Sequence, residues 1–170
     1  AWPREYGGGG RPQIFQDIAT EETAKARVPF MTNTIGLNWA GPLILKMGSE
    51  KDKQRYIKNI LSAEDIWCQG FSEPDAGSDL GNSQCRAVRD GDDYVINGQK
   101  LWITNGTRAD FITLAVRTGE DGFGGISLLV FPTDVDGFTV GQSIKKIGNK
   151  SSDTAEIFFD NCRVPRRYLL

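Results

Sequence analysis

An α+β chain is the fold class this sequence predicts, with helices first and then strands closing into an antiparallel β-barrel. Three observations predict it. Apolar residues recur at helical spacing up to about residue 66, the period falls to two from Trp67 onward, and turn residues crowd the second half. The boundary divides a helical part, residues 1–66, from a barrel part, residues 67–164.

Each element has its own local cause. Pro12 opens a helix in which Ile14, Phe15, Ile18 and Ala19 share a face. A second apolar segment runs from Thr34 to Met47 and stops at Gly48, which suits the left-handed residue that follows a helix. Ser49 and Asp52 form a capping box, and Tyr56, Ile57, Ile60 and Leu61 make one apolar stripe behind it. Lys51, Lys53, Arg55 and Lys58 lie on the opposite face, toward water. These helices need a partner.

A strand starts at Trp67, and further strands are expected over Ser83 to Arg89, Phe111 to Arg117, Ile126 to Phe131, Phe138 to Ile147 and Ala155 to Val164. Tyr94-Val95-Ile96, then Asn97-Gly98, then Gln99 to Thr104 reads as a hairpin, because both turn residues accept positive φ. Asp90-Gly91-Asp92 is a second turn just before it. Many short strands at such spacing suit a barrel or a sandwich.

Composition removes whole classes of function. The 20 Lys and Arg against 22 Asp and Glu leave a net charge of -2, without the basic face of a nucleic-acid binder. With 39% apolar and 25% charged residues the chain has the makings of a core. No stretch approaches the ~18 apolar residues of a membrane span. Histidine is absent, which removes Ser-His, Cys-His and His-metal chemistry. Cys68, Cys85 and Cys162 lie far apart without a CxxC pair, so neither a metal site nor a disulfide framework is expected, and a reducing compartment is. The start, AWPREYGGGG, lacks the charged and apolar regions of a signal peptide and reads as a loop entering something already under way.

Two segments stand out. Trp67-Cys-Gln-Gly-Phe-Ser-Glu-Pro-Asp-Ala-Gly-Ser-Asp79 is a strand that breaks at Glu73-Pro74 into a loop of small residues. Such a loop exposes backbone N–H groups and hydroxyls to a phosphate, although alone it reads more readily as a structural turn. It is neither a GxxxxGK[ST] loop nor a GxGxxG fingerprint. The second is Leu101-Trp102-Ile103-Thr104-Asn105-Gly106. Here Trp102 is a core aromatic before an ordinary turn, or a surface for a planar ligand with the Thr104 hydroxyl aimed at it.

Taken together, FSEPDAGSD, NGQKLWITNG and SSDTAEIFFDNCRVP, with the AWPREYGGGG start, resemble the acyl-CoA dehydrogenase family of flavoproteins over nearly the whole chain. The resemblance implies helices, then a β-barrel, then a C-terminal helical bundle of which residues 165–170 would be the lead-in. It implies FAD as cofactor, with Gln69, Gly70, Phe71, Ser72, Gly77, Ser78, Trp102, Ile103 and Thr104 as its binding residues. Phe71 and Ser72 would meet the polar edge of the isoalloxazine ring, and Glu73 would form the turn. Ser78 would reach the pyrophosphate and the acyl-CoA, Trp102 would pack near the ring, and Thr104 would hydrogen-bond near N5. Asp75, Phe71 and Asn82 depart from the usual family pattern, which bears on substrate subgroup more than on family.

The implied activity is α,β-dehydrogenation of an acyl-CoA to a trans-2-enoyl-CoA, with electrons passed to an electron-transfer flavoprotein. A related oxidase, acting on acyl-CoA or a nitroalkane, and a non-catalytic barrel module are the alternatives. The family's carboxylate base lies in the C-terminal bundle, so no catalytic residue is expected here and the chain by itself is expected to be inactive. A homotetramer, in a bacterial cytoplasm or the mitochondrial matrix, without metal, nucleic acid or membrane span, completes what the resemblance implies.

Overall fold

A computed structural model describes residues 1–29 and 31–170. The chain forms two compact units, Ala1–Asp65 and Ile66–Leu170.

In the first unit, α1 covers Gln13–Lys25 and follows Pro12 as expected. All of its residues are exposed, including Ile14, Phe15 and Ile18. A π-helical turn, Gly36–Ala40, runs into α2, Gly41–Met47, at Pro42, which has no N–H to donate to the preceding turn. Gly48 ends α2, but with φ -69° and ψ 151° it is extended, so the expected left-handed ending does not form. The chain turns instead through the capping box of α3, Glu50–Ser62. The Ser49 amide donates to the Asp52 carboxylate at 3.0 Å, and the Asp52 amide donates to Ser49 Oγ at 3.3 Å. Ile44 of α2 and Tyr56, Ile57 and Ile60 of α3 are fully buried where the two helices pack. Each such side chain contributes about 1.5–3 kcal/mol on leaving water.

The second unit is a curled, seven-stranded half-barrel of order β1-β4-β2-β3-β7-β6, with β5 beside β4. Its strands are β1 Trp67–Gly70, β2 Arg86–Asp90, β3 Asp93–Thr104, β4 Phe111–Arg117, β5 Ile126–Pro132, β6 Phe138–Ser143 and β7 Thr154–Pro165. Helices followed by strands is thus the observed class. The sheet is mixed rather than antiparallel throughout: β3 reverses β2 and β4 reverses β3, so β4 runs parallel to β2, and β1 enters parallel to both. Since β5 pairs the whole length of β4, the short strands β1 and β2 share its other edge end to end. Phe131 and Phe159 belong to one core, and the half-buried Phe138 packs against both, with centroid distances among the three of 5.0–5.5 Å.

The hairpin expected at Asn97-Gly98 does not exist. Residues 93 to 104 form one strand, and Asn97-Gly98 is a bulge in its pairing with β7. The Asn97 side chain is held by Asn161, which donates its backbone amide at 2.9 Å, and Gly98 lies so close to the residue preceding β2 that a Cβ would come within 2.7 Å of Cys85 Cα. At φ 145°, Gly98 supplies the backbone that the bulge needs. The reversal is made at Asp90-Gly91-Asp92, between β2 and β3.

Candidate functional site

The break after β1 is a closed turn. Pro74 fixes its corner, the Glu73 amide donates to Ala76 O at 2.7 Å, and the Ala76 amide donates back to Glu73 O at 3.2 Å. The Glu73 carboxylate then turns inward. It accepts from the Gln84 amide at 2.6 Å, the Cys85 amide at 3.0 Å and Lys100 Nζ at 2.7 Å. Lys100 is fully buried and also donates to Phe71 O at 3.0 Å. The Leu101 amide donates to Ser72 O at 2.9 Å. The two segments singled out in the sequence therefore touch, through backbone and through a buried ion pair.

At the far end of β3 the backbone is forced. Between Lys100 and Ile103 the pairing with β7 slips, and Trp102 sits in the slip at φ 65° with its side chain 60% exposed. A bulky residue in the left-handed region is a true outlier, costing about 1–2 kcal/mol, and such strain concentrates at binding sites. Trp102 lines an open hollow with Leu101, Gln142, Ile144, Lys145 and Glu156. Asn105 is also left-handed, at φ 64°, and donates from Nδ2 to Trp67 O at 3.1 Å, which ties the end of β3 to the start of β1.

The third segment joins through Asp153. Its carboxylate accepts from the Thr107 amide at 3.0 Å and the Thr107 hydroxyl at 2.7 Å, and pairs with Arg108 at 2.8 Å. Burial works against that charge, yet the Thr107 bonds and Arg108 hold the carboxyl below its ordinary value of 3.8. Arg117 closes the opposite side. Buried, it donates to the carbonyls of Gly81 (2.6 Å), Ser83 (2.9 Å), Glu120 (2.5 Å) and Gly122 (3.3 Å), fixing the loop after Ser78 against the loop between β4 and β5.

The sequence-predicted site residues fall into two sets. The hydroxyls of Ser72, Ser78 and Thr104 make no hydrogen bond to any described residue, and Ser78 and Thr104 are exposed. Gly77 is exposed, with nothing within 4 Å of where a Cβ would stand. With the half-buried Gln69, Phe71 and Ser72 and the open Trp102, these can meet a ligand. Gly70 and Ile103 are packed inside: a Cβ on Gly70 would come within 2.9 Å of Ile112 and Leu114, and Ile103 is a core side chain. Only their backbone is available. The sequence assigns Asn105 only to a turn and gives no role to Lys100 or Arg117. The signal for Lys100 was its phase, since it stands inward with Tyr94 and Ile96 of the same strand and needs a buried carboxylate.

The free groups suit a flavin dinucleotide: hydroxyls and an open glycine loop for a pyrophosphate, an exposed indole and a Thr hydroxyl for a planar ring. They do not suit a metal, as no group of three acidic or Cys side chains among the described residues could hold one. The cysteines are not nucleophiles. All three are free and buried, and burial pushes the Cys85 thiol up to about 12, against the opposing pull of Lys100. No helix among the described residues is long and apolar enough to cross a membrane.

Residues 1–64 match the family model "Acyl-CoA dehydrogenase, N-terminal domain", and residues 68–162 match "Acyl-CoA dehydrogenase, middle domain". The chain is 40% identical over 171 residues to acyl-CoA dehydrogenase FadE26 of Mycobacterium tuberculosis, covering 96% of this chain and 41% of that protein. Among solved structures, it matches an acyl-CoA dehydrogenase from Geobacillus kaustophilus with a TM-score of 0.90 and 37% identity, over 99% of this chain and 45% of that one. A second match, with a TM-score of 0.86 and 34% identity, covers 99% of this chain and 45% of a chain described under the electron transferring flavoprotein of Acidaminococcus fermentans. The chain thus spans less than half the length of these relatives.

Proposed function

This chain belongs to the acyl-CoA dehydrogenase family, and we propose on that footing that it builds one wall of an FAD site for α,β-dehydrogenation of an acyl-CoA. The observation that carries the reading is the pairing of the two segments at Leu101 and Ser72, with the hydroxyls of Ser72, Ser78 and Thr104 free of partners among the described residues and Trp102 exposed. Residues 1–66 are the helical part, 67–164 the barrel, and 165–170 the lead into a further helical part.

FAD, when bound, accepts a hydride from Cβ of the acyl group as a base takes the Cα proton. The chain's own residues bind and orient. Ser78, beside the open Gly77, would donate to the pyrophosphate, and its neighbourhood would also touch the acyl-CoA. Phe71 and Ser72 would meet the polar edge of the ring system, Trp102 would pack near it, and Thr104 would donate a hydrogen bond near N5, stabilising the charge that arrives on reduction. The Glu73 carboxylate already accepts from three donors and is not the base. The electron acceptor is an electron-transfer flavoprotein and the assembly a homotetramer.

The test is FAD retention by the full-length natural protein. Replacing Ser78 by Glu sets a carboxylate against the pyrophosphate and is expected to abolish retention, while Ser78→Ala weakens it by about tenfold, one hydrogen bond's worth. Full FAD occupancy of Ser78→Glu after gel filtration would place the phosphates elsewhere.

A further inference from the structure

We propose that the buried Glu73–Lys100 pair is the positioning device of the flavin wall, a role that rests on the FAD reading above. The pair is sealed: Lys100 is fully buried, the Glu73 side chain is 5% exposed, and the charges stand 2.7 Å apart. A pair so enclosed gives little net stability, because the desolvation of both charges offsets their attraction, so its retention calls for a reason in geometry.

The geometry supplies one. Every remaining bond of the pair goes to backbone at a junction between segments. Lys100 Nζ holds the Phe71 carbonyl, while the Glu73 carboxylate holds the amides of Gln84 and Cys85. Lys100 precedes Leu101, whose amide holds the Ser72 carbonyl. The peptide planes on both sides of Ser72 are therefore pinned from β3, one by an ammonium and one by an amide. The segment entering the left-handed Trp102 is pinned by the same contacts. Phe71, Ser72, Trp102 and Thr104 face a ligand in a fixed relation because a single ion pair sits behind them. Lys100 and Glu73 touch no ligand themselves; they are positioning residues.

The experiment uses the full-length natural protein, flavin-free and flavin-loaded, with the variants Lys100→Met and Glu73→Gln/Lys100→Met. The double variant removes both charges, so no unpaired charge stays buried and folding is retained even where the single variant fails. Three readouts are taken: thermal midpoint, hydrogen exchange by mass spectrometry over residues 70–76 and 98–104 against 111–132, and FAD affinity with the visible flavin band. Exchange over 70–76 and 98–104 is expected to quicken by roughly tenfold or more while 111–132 stays protected. FAD affinity is expected to fall about tenfold with a shifted band, and in the double variant the midpoint recovers but affinity and band do not.

Unchanged local exchange in the double variant overturns the proposal, and so does quickened exchange with wild-type affinity and band. Recovery of affinity together with the midpoint would reduce the pair to charge balance and equally overturn it. A natural protein that takes up no FAD overturns the flavin reading and the positioning role with it, whereas the exchange result decides the cross-link independently.

Discussion

Trp102 is unfavourable for the fold and, on the FAD reading proposed above, useful to a site. It holds φ 65° with most of its ring in solvent, so it contributes strain and little burial. Trp102→Gly removes about 1 kcal/mol of left-handed strain and loses little packing. The thermal midpoint is therefore expected to hold or rise while FAD affinity drops. A loss of the ~3–5 kcal/mol typical of a buried aromatic would show that the ring is structural. The sequence showed the tryptophan and the threonine beside it, but a dihedral angle leaves no mark on a string of letters. Glu73 illustrates the other kind of partial legibility. Its backbone makes the turn read from Glu-Pro, whereas its carboxylate meets Lys100, 27 residues away, and that depends on how β3 is registered.

Among elements, the strands whose apolar residues run together were legible almost to the residue: β4 is Phe111–Arg117, as the sequence reads, and β5 differs from its reading by one position. Asn97-Gly98 misled, because the same positive-φ chemistry serves a turn or a bulge, and only the neighbouring strands decide between them. The third segment shows what an element end needs. Asp153 joins the start of β7 to the turn after β3, and its folded carboxyl lies below the ordinary 3.8. Its contribution is thus fully present above pH 3.8 and disappears as pH falls through the lowered value. Asp153→Asn is expected to cost roughly 1–2 kcal/mol at pH 7, most of it from the Thr107 bonds, since the half-exposed Arg108 is screened. In denaturant titrations the gap between wild type and Asp153→Asn should stay level from neutral pH down to mild acid and close below pH 3.8. A gap that persists there would mean that ionisation is not the source.

At the scale of the molecule, the first unit leaves an apolar stripe uncovered. Ile14, Phe15 and Ile18 are 56%, 53% and 51% exposed along α1. Contiguous apolar surface of that kind promotes association. Residues 1–170 alone are expected to sediment with a mass that grows with concentration, and Ile14→Lys/Ile18→Glu to remain monomeric. Because both positions are already exposed, the double change should alter stability by no more than about 0.5 kcal/mol per site. Identical sedimentation of the two proteins would clear the stripe of any part in association.

The shared edge of β4 also sets an order in time. β2 and β3 are joined by a tight turn and can pair at once, whereas β1 reaches β4 only by closing a long loop, with Ile66 and the Asp110 that holds it 44 positions apart. Chain entropy opposes that closure until the intervening hairpin is in place, so β1 docks after β2 and β3 have paired. In refolding followed by pulse-labelled exchange, amides of β2 and β3 should gain protection before those of β1, and the reverse order would refute this. The strand that leads into the Glu73-Pro74 turn is thus docked after the hairpin beside it. On the FAD reading proposed above, a chain without β1 in place has no complete wall to offer a flavin, and flavin uptake would report that this strand has docked.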